Sequence, residues 1–396
     1  MPVPTPFHPR TSELCTSLLW KEWAGHYAVC SYGTCHEREY FALRHAAGLI
    51  DVSPLHKYEI AGPGAGAFLS FLTTRDLSKL RVGRMTYLCW CDDDGKVLDD
   101  GTAGRLDKQH YRLTSNQPAL SWLERNAAGF DVAIEDSSER LGVVALQGPT
   151  SRAILAAAAG PAVESLRFFA VSRGTIDGIP VWISRTGYTG DLGYEVWVER
   201  DGALGVWDAL VAAGRPYRIR PAGLNAMDVT RVEAGFVLNG VDYFSANTCL
   251  IPARRSSPYE IGLGWTVTLD REPFIGQAAL RAECARPADW RLVGLEYDWD
   301  EFEALHDEFG LPPHVPSAAW RSAVPVYDGE RRQVGQATSG AWSPILKKNL
   351  ALATLRPAAA STGSHLRVET TVEYERRTVG ATVVGTPFFD PPRKRA

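Results

Sequence analysis

Short runs rich in apolar, aromatic and β-branched residues recur along the chain, some with polar residues at every second position, and turn-forming glycine, proline or aspartate lies near several of them. Such runs read as half-buried strands between turns. Val181-Trp182-Ile183-Ser184 enters a glycine-rich stretch, and Tyr194-Glu195-Val196-Trp197-Val198 leaves it. Met85–Cys91 and Val97–Arg105 flank Asp94-Gly95, a hairpin signal. Lys57–Ile60, Tyr111–Leu113 and Val143–Ala145 are further short strands. Helical patterning covers Phe68–Leu72, Leu120–Ala127, Ser151–Ala159, Val206–Ala213 and Asp228–Ala234, and Leu14–Gly48 also reads as mainly helical, with Gly48 as its stop. Beyond Trp265 the chain is mostly strand and turn, interrupted by a proline-rich stretch at Leu311–Pro316. The order predicts an α+β fold: two α+β units and then a β-rich domain.

A chain of 396 residues suggests two or three cores. Its 45% hydrophobic and 22% charged residues are those of a soluble globular protein. A net charge of −4 gives no basic footprint for nucleic acid, and no apolar stretch is long enough to span a membrane. Seven irregularly spaced cysteines fit free thiols in a reducing compartment, so a cytoplasmic location is expected.

Two places carry candidate chemistry. The first is Ser184–Glu195, with Gly187, Gly190 and Gly193 at spacing three. Such backbone can take positive φ and come close to a ligand. Glu195 sits on the face opposite Tyr194, Val196 and Val198, either as a solvent-facing acid or as a ligand contact. The second is the hairpin. A two-residue Asp94-Gly95 turn pairs Asp93 with Lys96, Cys91 with Leu98 and Cys89 with Asp100, and puts Tyr87 diagonal to Asp100. A desolvated acid there would be a general acid or base, whereas exposure would make Asp99 and Asp100 plain strand-end acids. A three-residue turn with a bulge would shift this register.

Other motifs carry less. Gly62-x-Gly64-x-x-Ala67 mimics a dinucleotide fingerprint, but Pro63 stiffens it and no acid-ended second strand follows, which favours a plain strand–turn–helix junction. Cys89-x-Cys91 has the wrong spacing for zinc and no second pair, so no metal is expected.

Several segments together resemble the glycine-cleavage T-protein (aminomethyltransferase) family. They are Asp51-Val52-Ser53, Val97-Leu98-Asp99-Asp100, Leu146-Gln147-Gly148-Pro149, the Ser184–Glu195 loop, Pro221–Leu224 with Arg231–Gly235, and Thr338–Gly340 with Leu346–Asn349. They occur in family order. The resemblance implies two ferredoxin-like α+β domains and a C-terminal β-barrel around a central folate channel. It divides the chain into 1–52 with 142–257, then 53–141, then 258–396. It implies tetrahydrofolate as cofactor, with Asp100 catalytic and Tyr87, Asp100, Tyr188 and Glu195 holding the cofactor.

Three departures from the family pattern bear on the donor. Ala226-Met227-Asp228 stands where the family carries Ala-Arg-Asp. Asn239 replaces a tyrosine before the retained Asp242, and a long loop, Tyr243–Ser257, brings Arg254 and Arg255. Ser53-Pro54-Leu55 replaces a serine-histidine-methionine. Met227, Asp242, Arg254 and Arg255 are the expected substrate contacts, although Met227 as core residue and solvated arginines would account for the same pattern. The expected reaction moves a methyl group from a small methoxy, methylthio or N-methyl donor to folate N5. One alternative is an aminomethyltransferase that takes its donor from a lipoyl carrier protein. The other is a non-catalytic folate-binding regulator.

Overall fold

The structure is a computed structural model that describes residues 1–286 and 288–396. Three bodies of secondary structure carry it. A five-stranded sheet has the order Arg84–Cys91, Val97–Asp107, His110–Ser115, His56–Ala61, Ala133–Asp136. Helices Ala65–Leu72 and Leu120–Asn126 cover it, burying Phe68, Leu69 and Leu72 against Tyr58, Ile60 and Leu113. Along Arg84–Cys91 successive side chains go to opposite faces: Leu88 and Trp90 join this cluster, while Cys89 and Cys91 pack with Val237, Tyr243 and Ile261 on the other.

A six-stranded sheet has the order Val171–Ile176, Ile179–Ser184, Gly193–Glu199, Leu141–Gln147, Gly48–Asp51, Arg220–Pro221. Leu146, Tyr194, Val196 and Val198 pack on helices Ser151–Ala159 and Ala203–Gly214 through Ile154, Leu155, Trp207 and Leu210. The opposite face, with Val143, Ala145 and Trp197, shares a cluster with Tyr40 of helix Glu37–His45 and Val229 and Val232 of helix Leu224–Glu233.

The third body is a closed six-stranded barrel in the order Arg291–Tyr297, Lys348–Leu355, Gln333–Ser343, Val324–Tyr327, His365–Val372, Glu375–Val384. Leu295, Val326, Ala337, Leu355, Val368 and Val379 fill it, with Phe302 and Leu305 of helix Trp299–Asp307 packed on them. Asp298 caps that helix by accepting from the Glu301 amide at 3.0 Å.

The first 48 residues differ from the expectation. Only His8–Leu14 and Glu37–His45 are helical, and between them Leu19–Trp23 pairs antiparallel with His26–Ser31. Ala24 and Gly25 both adopt positive φ, 45° and 79°, as a two-residue hairpin turn requires. The stretch after Trp265 likewise contains helices, Gln277–Cys284 and Trp299–Asp307.

Buried charges join the bodies. Arg44 holds Glu233 through Nε at 2.8 Å, while Tyr40 and Ser343 each donate to the other Glu233 oxygen at 2.5 Å. Asp242 accepts from Arg231, the Leu238 amide, Thr338 and Ser339 at 2.6–2.9 Å. Asp228 accepts from Arg231 and Arg321, both at 2.7 Å. The helix carrying Met227 is thereby fixed to the barrel.

Candidate active site

The hairpin reaches the expected register at Asp100 by an unexpected route. The turn spans three residues, with Asp92 and Lys96 hydrogen-bonded across it and Gly95 at φ 73°. This pairs Cys91 with Val97 instead of Leu98, one residue out of step. A bulge at Leu98 then restores the step, so Trp90 faces Asp99 and Cys89 faces Asp100.

Both acids are buried, Asp99 2% and Asp100 5% exposed, which removes the reading of them as exposed strand-end acids. Asp100 accepts from the Tyr87 hydroxyl at 2.5 Å and from the Tyr243 hydroxyl. Burial and then the neighbouring Asp99 charge push its carboxyl up to about 7, against the pull of the two hydroxyl donors. Such a group exchanges a proton readily near neutral pH. Asp99 accepts from the Asn116 and Gln117 amides and from Asn239 Nδ2, each at 2.8 Å.

Glu195 stands on its strand opposite the core residues Tyr194 and Val196, and pairs with Ser184 and Ala145. Thr186 donates to its Oε2 at 2.5 Å and Ser184 at 3.4 Å. Burial raises this carboxyl, and those two hydroxyls hold it down. No protein group among the described residues donates to Oε1. The glycines before Glu195 serve close packing: a Cβ at Gly187 or Gly193 would meet Gln147 at 2.0–2.2 Å. The face bearing Glu195 continues through Trp197 and Glu199 into a groove of about 690 Å³ between the two sheets, where Arg112 lies 5.2 Å over Trp197.

Aromatic side chains lie beside Asp100. Tyr188 stacks on Phe236 with centroids 5.5 Å apart, its hydroxyl engaged by the Val237 carbonyl at 2.5 Å. Tyr87 stacks on Trp265 at 6.0 Å, and Trp265 is 59% exposed.

The expected substrate contacts are dispersed. Met227 is half-buried against the Tyr40–Trp197 cluster. The Asp242 carboxylate is occupied by four protein donors. Arg255 donates to the Cys249 carbonyl at 3.1–3.2 Å, and exposed Arg254 lies 4.9 Å over Phe244. Sequence reasoning missed Asn116, Asn239 and Tyr243 as partners of the acids. Asn239 and Tyr243 do stand out as departures, but nothing local ties them to a strand about 140 residues away. Gly62 and Gly64 pack against the Asp131 backbone, as a strand–turn–helix junction would. Among the described residues no group of acids, histidines and cysteines could hold a metal, and no helix is long and apolar enough to cross a membrane.

An open carboxylate oxygen on Glu195 can accept N–H groups from an amino-pyrimidinone edge, and Asp100 can exchange a proton with a nearby amine. Both suit tetrahydrofolate. The GCVT N-terminal domain matches residues 18–271, and the glycine cleavage T-protein C-terminal barrel domain matches 309–390. An aminomethyltransferase of Herpetosiphon aurantiacus is 33% identical over 355 residues, 89% of each chain. A trimethylamine-oxide aldolase of Ruegeria pomeroyi is 34% identical over 99% of this chain, which spans about half (47%) of that relative's length. The aminomethyltransferase T structure from Bartonella henselae, 23% identical, superposes with a TM-score of 0.83 over 98% of this chain and 99% of its own. The chain belongs to the glycine-cleavage T-protein family, and is a folate-dependent transferase of that family.

Proposed function

We propose that this enzyme moves a one-carbon unit from a small methylated donor, a methoxy, methylthio or N-methyl compound, to tetrahydrofolate. The observation that carries the reading is the buried Asp100 carboxyl, pushed up to about 7 and held by the Tyr87 and Tyr243 hydroxyls. Tetrahydrofolate supplies a nucleophilic nitrogen, N5, as acceptor. Glu195 orients the pterin edge by accepting its N–H groups. Asp100, as carboxylate, takes a proton, and as acid it returns one to the heteroatom left by the donor. Holding donor and acceptor close and in line supplies much of the acceleration.

Two things support a small donor. Met227, apolar and polarizable, stands where the resemblance expects a guanidinium. A relative 34% identical to this chain is named for trimethylamine oxide, a small N-methyl compound. A second reading, transfer of an aminomethyl group from a lipoyl carrier protein, is favoured by relatives named aminomethyltransferase that match 89% of both chains. Incubating the protein with tetrahydrofolate and a panel of donors, with mass analysis of the folate, tests the two. Methyl-folate from a small donor supports the proposal. Methylene-folate formed only with the aminomethyl-lipoyl carrier overturns it.

A further inference from the structure

Asp99 and Asp100 are consecutive strand residues, whose side chains ordinarily point to opposite faces. Yet single groups reach both. The Tyr243 hydroxyl donates to Asp100 Oδ1 and lies 3.4 Å from Asp99 Oδ1. Asn116 Nδ2 lies 3.4 Å from Asp99 Oδ1 and 3.5 Å from Asp100 Oδ1.

The donors around the two acids differ in kind. Asp99 is met by three N–H groups, the Asn116 and Gln117 amides and Asn239 Nδ2. Such groups donate and cannot accept, so they favour the ionised carboxylate. Asp100 is met by the hydroxyls of Tyr87 and Tyr243. A hydroxyl donates to a carboxylate or accepts from an acid, so it serves either protonation state. Burial raises both carboxyls, but the N–H groups pull Asp99 back toward the anion, and Asp100 is the one pushed up to about 7.

We propose that Asp99 is a positioning residue: a fixed anion, held by Asn116, Gln117 and Asn239, that sets how readily Asp100 releases its proton, with Tyr243 as the opposing control. This rests on reading Asp100 as the proton carrier. Asp99 acts through Asp100 and needs no contact with the reacting atoms. The other ionisable groups facing Asp100 are Tyr87 and Cys89 from strand Arg84–Cys91, Tyr243, and Tyr188 from the glycine-rich loop. Arg231, near Tyr188, has its charge matched by Asp228 and Asp242. Asp99 therefore remains as the uncompensated charge acting on Asp100.

The test is a carboxyl titration of the ligand-free protein by carbon-13 NMR, run beside the pH–rate profile. Asp99→Asn should lower the Asp100 midpoint by about one pH unit or more, because a like charge has gone. Tyr243→Phe should raise it, because a donor to the carboxylate has gone. The acid limb of the rate profile should move the same way, with the folate KM changed much less. If the inward amide of Asp99→Asn prevents folding, Asp99→Ser serves, since its hydroxyl accepts from the same N–H groups. Opposed shifts without any folate product would retain this inference and sink the proposed reaction. A folded Asp99 variant with an unmoved Asp100 midpoint overturns the inference.

Discussion

Asp100 Oδ2 accepts the Tyr87 hydroxyl at 2.5 Å, from the residue diagonal to it across the hairpin. That contact fixes one carboxylate oxygen, and Tyr243 fixes the other. The carboxyl is therefore held in one orientation in a site that favours its protonated form.

Asp100→Asn should lower turnover by about 10²-fold or more, the scale of a general acid–base residue. Asparagine is nearly isosteric, so the pocket stays packed while proton exchange ends. Steady-state kinetics and folate binding by calorimetry measure the two effects separately. Equal losses in rate and affinity would reduce Asp100 to a group that only binds.

The same acid should destabilise the fold as pH rises. Its carboxyl, near 3.8 in an unfolded chain, is pushed up to about 7 in the fold. Between those values the folded state binds more protons, so stability falls as pH increases through the window. Each pH unit of that window is worth about 1.4 kcal/mol. Asp100→Asn removes that slope and should gain stability relative to wild type between pH 4 and pH 8. Urea unfolding at both pH values gives the comparison, and an equal difference at each would contradict the raised carboxyl.

Glu195→Gln should weaken folate binding by about 1.5–3 kcal/mol, the range for hydrogen bonds to a charged group. The substitution turns one acceptor into a donor and removes the charge facing the pterin edge. Thr186 and Ser184 can still donate to the remaining amide oxygen, so the loop keeps its shape. An unchanged dissociation constant by calorimetry would take Glu195 out of the site.

The sequence made the strands legible where short apolar and aromatic runs stand between turn residues. Helix Ser151–Ala159 and the strands on either side of the glycine loop lie where the pattern places them. The Asp100 register was legible only because two irregularities cancel, a longer turn and the Leu98 bulge. Leu19–Ser31 is a hairpin turned at Ala24-Gly25, and its Trp20, Trp23 and Tyr27 are strand-favouring residues that the helical reading passed over. Asn239 and Tyr243 could not be placed from sequence, because tertiary folding alone brings their loop onto the acid strand. Asp242 shows the converse: an acid beside a motif can be spent on docking the barrel through Thr338 and Ser339.

Arg254 and Arg255 adjoin in sequence, which suggests a joint grip on a donor carboxylate, but the structure gives them different work. Arg255 donates twice to the Cys249 carbonyl and so braces the loop Tyr243–Ser257. Arg254 is exposed over Phe244 and has no carboxylate partner among the described residues. A guanidinium placed this way can still meet an anionic end of a small donor, at the modest strength of an exposed pair, about 0.2–1 kcal/mol. Arg254→Ala should then raise the donor KM by up to about fivefold and leave kcat unchanged. Arg255→Ala should instead loosen the loop that begins at Tyr243, lowering kcat through Asp100 whatever the donor's charge. Kinetics of each single variant with an anionic and a neutral methylated donor separate the two roles. A fall in kcat with Arg254→Ala, or a KM effect equal for both donors, would remove Arg254 from donor recognition.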